Sequence, residues 1–204
     1  MIVQTATQTY TPEEYLALEE QSEIRNEYHD GEIIPTTGGT VNHNKISGNF
    51  YAYFKFAKKG QPYDVFMADV RLWIPENNRY TYPDVLIISG EVDYYENRKD
   101  TIINPTVIIE VLSQSTEVYD KGDQFKFYRS IPSFQEYIMI NQYQYEVEQY
   151  VKTDHGKWLV TYLESVESVL SLNSVEFDIP LSDLYEGVEF ENIEKEEIVD
   201  HPQE

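Results

Sequence analysis

The sequence predicts one α/β (α+β) domain with an extra C-terminal β-hairpin, and three observations carry that reading. The 204-residue chain is 41% hydrophobic, enough for one sizeable core. Helical spacing and two-residue alternation succeed one another along it, in the order α-β-α-β-β and then β-α-β. A strand-rich end follows, where YQYEVEQYVK and KWLVTYL flank the turn signal Thr153-Asp154-His155-Gly156.

Each element has its own warrant. A helix start is written at TPEEY: Thr11 can cap, Pro12 fits the first helical position, and Glu14 completes a capping box. That helix is expected to run to about Tyr28, which puts Glu27 at its end. His29-Asp30-Gly31 then turns the chain into strand EIIPT. A second helix is predicted from His43 to Lys59, where Ile46, Phe50, Tyr53, Phe54 and Ala57 recur at helical spacing and Gly60 stops it. Asp64 to Ser89 reads as a β-hairpin, with DVFMADVRLWI and YTYPDVLIIS around Glu76-Asn77-Asn78-Arg79. PTVIIEVLS is short and β-branched, as a centrally buried strand would be. It leads into a helix from about Thr116 to Ser130 and then strand QEYIMIN. There is no internal repeat.

Composition excludes several classes of chemistry. The chain has no cysteine, so disulfides, thiolate-zinc sites and Cys nucleophiles are ruled out, and a reducing cytosol is the default. No apolar run approaches the ~20 residues of a membrane span, and the N-terminus lacks a signal-peptide pattern. We therefore expect a cytoplasmic protein with no membrane partner. The net charge of −22 disfavours nucleic acid, because 15 Lys and Arg stand against 37 Asp and Glu. Residues 186–204 form an acidic tail with eight acids and one lysine, expected to be mobile or to order only on a partner, after a domain spanning 1–185. The rest of the chain is strongly acidic without it. A solubility-driven acidic surface is the plain alternative.

Three carboxylates stand where an ordinary strand would not put them. Asp84 follows Pro83 inside a strand, Glu110 interrupts the buried run VIIEVL, and Glu27 closes the first helix. An ionised carboxylate in a buried strand costs several kcal/mol unless it is paired or binds metal. Mg²⁺ prefers one or two carboxylates plus water and phosphate oxygens, which two acids on neighbouring strands supply. If Asn77 and Asn78 form a two-residue turn, Asp84 faces Arg71, and Leu86 faces Asp69. Asp84 could then simply pair with Arg71, Glu110 with a lysine or arginine, and Asp69 could be structural.

Asp84 in TYPDV and Glu110 in IIEVLSQST resemble the PD…(D/E)xK pattern of restriction-endonuclease-like nucleases. Longer stretches sharpen the likeness: YHDGEII, VNHNKIS, FMADVRLWIP, RYTYPDVLIISG and NPTVIIEVLSQSTEVYDKGDQFKFYRSIPSFQEYIMI. Together they resemble the Uma-type family within that superfamily, from about Tyr10 to Tyr185. The resemblance implies a mixed β-sheet core flanked by helices, with Glu27, Asp84 and Glu110 around a Mg²⁺ (or Mn²⁺) ion. It also implies a DNA-cleaving phosphodiesterase, for which a homodimer would make paired nicks.

The pattern wants a lysine two residues after Glu110 to act on the attacking water, and that position is Leu112. Relatives of this type resemble D-(K/R)-G-x-K in the next helix; this chain reads Asp120-Lys121-Gly122-Asp123-Gln124, with Gln124 at the lysine position. At about 100° per residue, Lys121 lies roughly 60° from Gln124 around a regular helix and Lys126 roughly 160° away. Lys121 or Gln124 would then hold the water, whereas a solvent-exposed ion pair is the alternative for Lys121. A catalytically silent relative used for binding or assembly is the competing functional reading, favoured by charge, Leu112 and Gln124.

The remaining candidates are weaker. His43 has no His-x₃-His partner pattern, so a helix-start role competes with catalysis. Ser113, Ser115 and Thr116 suit helix caps, and no G-x-S-x-G elbow or phosphate-cradling glycine loop is present. The eighteen tyrosines suit exposed strands, or base stacking.

Overall fold

The computed structural model describes residues 8–36, 38–113 and 117–190. Helix α1 (Pro12–Glu19) begins with the full capping box, Thr11 Oγ1 accepting from the Glu14 amide while the Glu14 carboxylate accepts from the Thr11 amide. It ends well before Tyr28. The Glu19 carboxylate accepts from the Asn26 amide and side chain, and Asn26–His29 form strand β1 instead. The correction has a local cause: Asp30 and Gly31, both at positive φ, close a tight turn pairing β1 with β2 (Glu32–Pro35). Strand pairing then wins over helix propagation, and Glu27 sits on a strand.

Helix α2 (Val41–Ala57) follows, capped by Thr40. The predicted long hairpin is divided between two sheets. Strand β3 (Tyr63–Met67) pairs with β6 (Val85–Ser89), whereas β4 (Arg71–Ile74) pairs with β5 (Arg79–Thr81). The break falls at Ala68, which takes a positive φ of 56°. Pro75–Asn77 form a 3₁₀ turn closed by Asn78 in the left-handed region, so the loop holds four residues rather than two. Register shifts accordingly: Leu72 faces Thr81, and Asp84 does not face Arg71. Arg71 bonds the Tyr82 hydroxyl and approaches Asp100, while exposed Asp69 pairs with Arg25 at 2.8 Å.

Strands β7 (Thr101–Ile102) and β8 (Val107–Leu112) precede a helical stretch, α3 (Glu117–Tyr119), which passes through a π turn (Asp120–Gln124) into α4 (Phe125–Tyr128). The expected caps Ser115 and Thr116 lie outside the described residues; the Ser113 carbonyl accepts from the Glu117 amide. Strands β9 (Glu136–Asn141), β10 (Val147–Lys152) and β11 (Trp158–Leu163) follow, then the hairpin β12 (Val169–Leu172) and β13 (Phe177–Pro180), and α5 (Leu181–Leu184).

A six-stranded mixed sheet runs β11-β10-β9-β8-β6-β3, with only β8 and β9 parallel. A five-stranded sheet runs β2-β1-β5-β4-β7. Both faces of β8 are buried, which explains its unbroken apolar reading. Val107, Ile109 and Val111 pack with Ile46, Phe50 and Phe54 of α2, while Ile108 and Leu112 pack with Tyr128, Phe134 and Tyr137. Tyr15, Tyr28, Trp73 and Tyr80 make a third, stacked aromatic core.

The first residues of the acidic tail fold back on the domain: Phe190 packs on Tyr145 and Tyr185, and Asn42 bonds the Glu189 carbonyl. The remainder, 191–204, lies outside the described residues. No helix among the described residues is long and apolar enough to cross a membrane.

Fully buried Glu136 ties the C-terminal hairpin to the sheet. Its carboxylate accepts from Gln149 Nε2, the Asn173 and Ser174 amides, and Ser174 Oγ. Glu136→Ala leaves those donors unpaired and is expected to cost about 2–4 kcal/mol, measured by urea unfolding.

Candidate active site

The site forms where β6, β8, α2 and the π turn meet. Asp84 enters it from the position just before β6, where the Val111 amide holds its carboxylate, and Glu110 because alternation along β8 turns it toward Tyr128 rather than α2. The two are interlocked. The Asp84 amide donates to Glu110 Oε2 at 3.1 Å, and the Val111 amide donates to Asp84 Oδ2 at 2.8 Å. His43 Nε2, from the first turns of α2, lies 3.0 Å from the same Asp84 oxygen. A Cβ on Gly39 would come within 2.7 Å of His43 Nδ1, so glycine makes room for that ring.

On its other side Glu110 Oε1 accepts from the Tyr128 hydroxyl at 2.7 Å. Gln124 Nε2 bonds both that hydroxyl and Thr81 Oγ1, and Thr81 bonds Glu27 Oε1. The Tyr82 amide shares Glu27 Oε1 at 3.2 Å, and His29 lies 2.8 Å from Glu27 Oε2. Glu27 therefore reaches the Asp84–Glu110 pair through a buried hydrogen-bond chain rather than by contact.

Electrostatics separates the acids. Burial, reinforced by the nearby charges of Asp84 and Asp120, pushes Glu110 well above the usual carboxylate range. Burial also acts on Glu27, but hydrogen bonds from His29 and Thr81 outweigh it and hold that carboxyl low. For His43, burial opposes the charged form, while the bond to Asp84 and the charges of Asp84 and Asp120 raise its pKa.

Lys121 does not join this group. Its ammonium pairs with Glu117 at 2.8 Å and with Glu148 at 2.6 Å. Burial disfavours its charge, but the two carboxylates overcome that and hold it above the usual lysine range. The expectation that Lys121 shares the face of Gln124 fails for a geometric reason. A π turn advances less per residue than an α-helix, so three steps fall further short of a full circle and separate the two side chains.

Glu27, Asp84, Glu110 and Gln124 are thus brought into one network, and Lys121 is placed outside it. Sequence reasoning missed Thr81 and Tyr128. Tyr128 was findable, since it lies four residues after Gln124 on one helix face. Thr81 depended on the hairpin register and carried no separate signal. Among the described residues no three Asp, Glu or His side chains form a group able to hold a metal ion by themselves. The donor set is a two-carboxylate half-site, which suits a cation that keeps water and substrate oxygens as its other ligands.

The architecture and this paired-acid strand arrangement define a restriction-endonuclease-like nuclease fold. A crystal structure from Anabaena variabilis, of a protein described as a "putative nuclease belonging to DUF820", shares it: the TM-score is 0.70 at 19% identity, covering 87% of this chain and 98% of that one. The chain belongs to the Uma2 family, described as "Putative restriction endonuclease", whose model matches residues 12–182. It is 41% identical over 163 residues to the uncharacterized protein sll1609 of Synechocystis sp., covering 80% of this chain and 92% of that one. A second uncharacterized Synechocystis protein, slr1290, is 34% identical over 182 residues, covering 88% and 93%.

The raised pKa of Glu110 has a testable consequence for stability. The folded state holds this proton more tightly than the unfolded state, so stability falls as pH rises above the unfolded carboxyl value of about 4.3. Glu110→Gln mimics the protonated form. It is expected to raise the melting temperature by about 3 °C or more at pH 7.5 and to change it little at pH 4, by scanning calorimetry without added metal.

Proposed function

We propose that this chain is a divalent-metal-dependent nuclease that hydrolyses DNA phosphodiester bonds. The observation that carries the reading is the interlocked pair of half-buried Asp84, just ahead of β6, and buried Glu110, on the adjoining strand β8. Two like charges held this close in a buried site call for a cation. Asp84 and Glu110 would hold Mg²⁺ or Mn²⁺, which when bound polarises a phosphate oxygen and lowers the pKa of a water.

The chain's own residues do the rest. The Val111 amide and His43 fix the Asp84 carboxylate, and Tyr128 fixes Glu110, so neither reorients when a phosphate approaches. Gln124 stands at the position where the resemblance places a lysine; its Nε2 is committed to Tyr128 and Thr81, so its Oε1 is what remains to hold a water, without positive charge. Glu27, kept ionised by His29 and Thr81, adds negative potential through the chain that ends at Glu110 and so favours a bound cation. Cutting both strands with one such centre per chain needs two copies, so a homodimer belongs to this reading.

A second reading has one specific observation in its favour. Lys121 is taken up by Glu117 and Glu148, and no other lysine or arginine among the described residues makes an ion pair with Asp84 or Glu110. A silent relative that binds or assembles without cutting would look the same.

Nicking of supercoiled plasmid at low salt with Mg²⁺ or Mn²⁺ separates the two. The wild type is expected to nick, and Asp84→Ala and Glu110→Ala to lose at least about 100-fold in rate, as loss of a metal ligand would cost. Gln124→Lys, which restores a cation at the centre, is expected to raise the rate about tenfold or more. Folded wild type that cuts with neither metal, beside a Gln124→Lys variant that does cut, would establish the silent-relative reading.

A further inference from the structure

The C-terminal end of α2 opens onto a cavity of about 490 Å³ against β3, walled chiefly by Tyr51, Lys55, Phe56, Lys58, Lys59 and Tyr63. Its wall holds three lysines and no acid. That is unexpected in a chain with 37 acids against 15 Lys and Arg. From Ile33 to Tyr63 the sequence carries four lysines and no Asp, Glu or Arg. Among the described residues none of Lys55, Lys58 and Lys59 makes an ion pair, and Lys58 Nζ lies 5.7 Å over the Tyr63 ring.

Lysines near a helix C-terminus also complement its dipole, so charge by itself is ordinary here. The aromatic content is not explained that way. Phe56 is 85% exposed between these lysines and packs in none of the three hydrophobic cores. An open, acid-free cavity with cations outside any ion pair and an unburied aromatic ring matches how proteins hold a single nucleic-acid strand, with ammonium groups on phosphates and a ring against a base.

We propose that this pocket holds one nucleotide of a single-stranded segment of the DNA substrate, Lys55, Lys58 and Lys59 on its phosphates and Phe56 against its base. The inference deepens the nuclease reading and rests on it. Helix α2 sets the distance to the acidic centre. His43, on Asp84, and Lys58 are fifteen residues apart on one helix and its cap, about 22 Å along the axis. A strand that keeps the stacked, duplex rise of about 3.4 Å per nucleotide covers that in roughly six to seven nucleotides, and a stretched single strand in fewer. The grip on the strand is thereby separated from the cutting centre, whose own carboxylates repel phosphate until a cation is present.

The test is fluorescence anisotropy of a fluorescein-labelled single-stranded 20-mer in EDTA, where nothing is cut. Wild type is compared with Lys55→Ala/Lys58→Ala/Lys59→Ala, with Phe56→Ala, and with a charge-matched control, Lys99→Ala/Lys126→Ala/Lys157→Ala. All the altered residues are exposed or half-buried, and circular dichroism checks that each variant folds. The α2 triple variant is expected to bind about tenfold or more weaker, with a salt dependence shallower by about two, and Phe56→Ala about fivefold weaker. The control is expected to stay within about twofold. Equal weakening by both triple variants, or no binding by wild type, overturns the proposal. So does binding to phosphatidylglycerol vesicles without binding to the oligonucleotide. Plasmid nicking by the Asp84 and Glu110 variants judges the nuclease reading separately, so either idea can fail alone.

Discussion

A buried carboxyl, Glu110, is held against a half-buried one, Asp84, that would repel it, and much of the site is arranged around that fact. Asp84 and Glu110 are linked through backbone amides, not through a cation of the protein. An amide donor fixes a carboxylate without neutralising it, so the charge conflict remains. Burial pushes the Glu110 carboxyl up, and the charges of Asp84 and of buried Asp120 push it further. His43, whose burial opposes its charge while Asp84 raises its pKa, pairs with Asp84 and not with Glu110, so among the described residues Glu110 is left without an ionic partner; Lys121 makes its ion pairs with Glu117 and Glu148.

The fold serves this arrangement in three ways. The central position of β8, between β6 and parallel β9, buries Glu110 and fixes its register. The break at Ala68 sends β3 and β4 into different sheets, which frees the Tyr82–Asp84 segment to link them. That segment carries the Tyr82 amide to Glu27 and the Asp84 carboxylate to Glu110's neighbour, Val111. The π turn then directs Gln124 inward and Lys121 outward. The break at Ala68 and the π turn are departures from regular geometry, and departures of this kind concentrate at functional sites.

Legibility in the sequence followed the range of the interactions involved. Local signals were reliable: the Thr11–Glu14 capping box, the Asp30-Gly31 turn, and the buried run of β8 that made Glu110 conspicuous. Readings that needed register or a tertiary competitor went astray. Glu27 was expected on a helix because the helix start is strongly encoded, whereas its end is set by Glu19 reaching Asn26 and by strand pairing. The hairpin was expected to close in two residues because Asn77 and Asn78 both suit a turn; Pro75 and Asn78 use a longer one. Lys121 was expected beside Gln124 because helical arithmetic assumes a constant step. No composition or periodicity encodes a π turn, and His43 against Asp84 is a contact between distant segments that only folding reveals.

The most direct measurement is the pKa of Glu110 itself, followed by carbon-detected NMR on protein with ¹³C-labelled glutamate. Glu110→Gln supplies the assignment, and the titration is run without and with Mg²⁺. A metal-free value well above that of an ordinary glutamate, falling when Mg²⁺ is added, is the predicted result. An ordinary value that Mg²⁺ leaves unchanged would contradict the account, because the paired carboxyls would then neither conflict nor hold a cation.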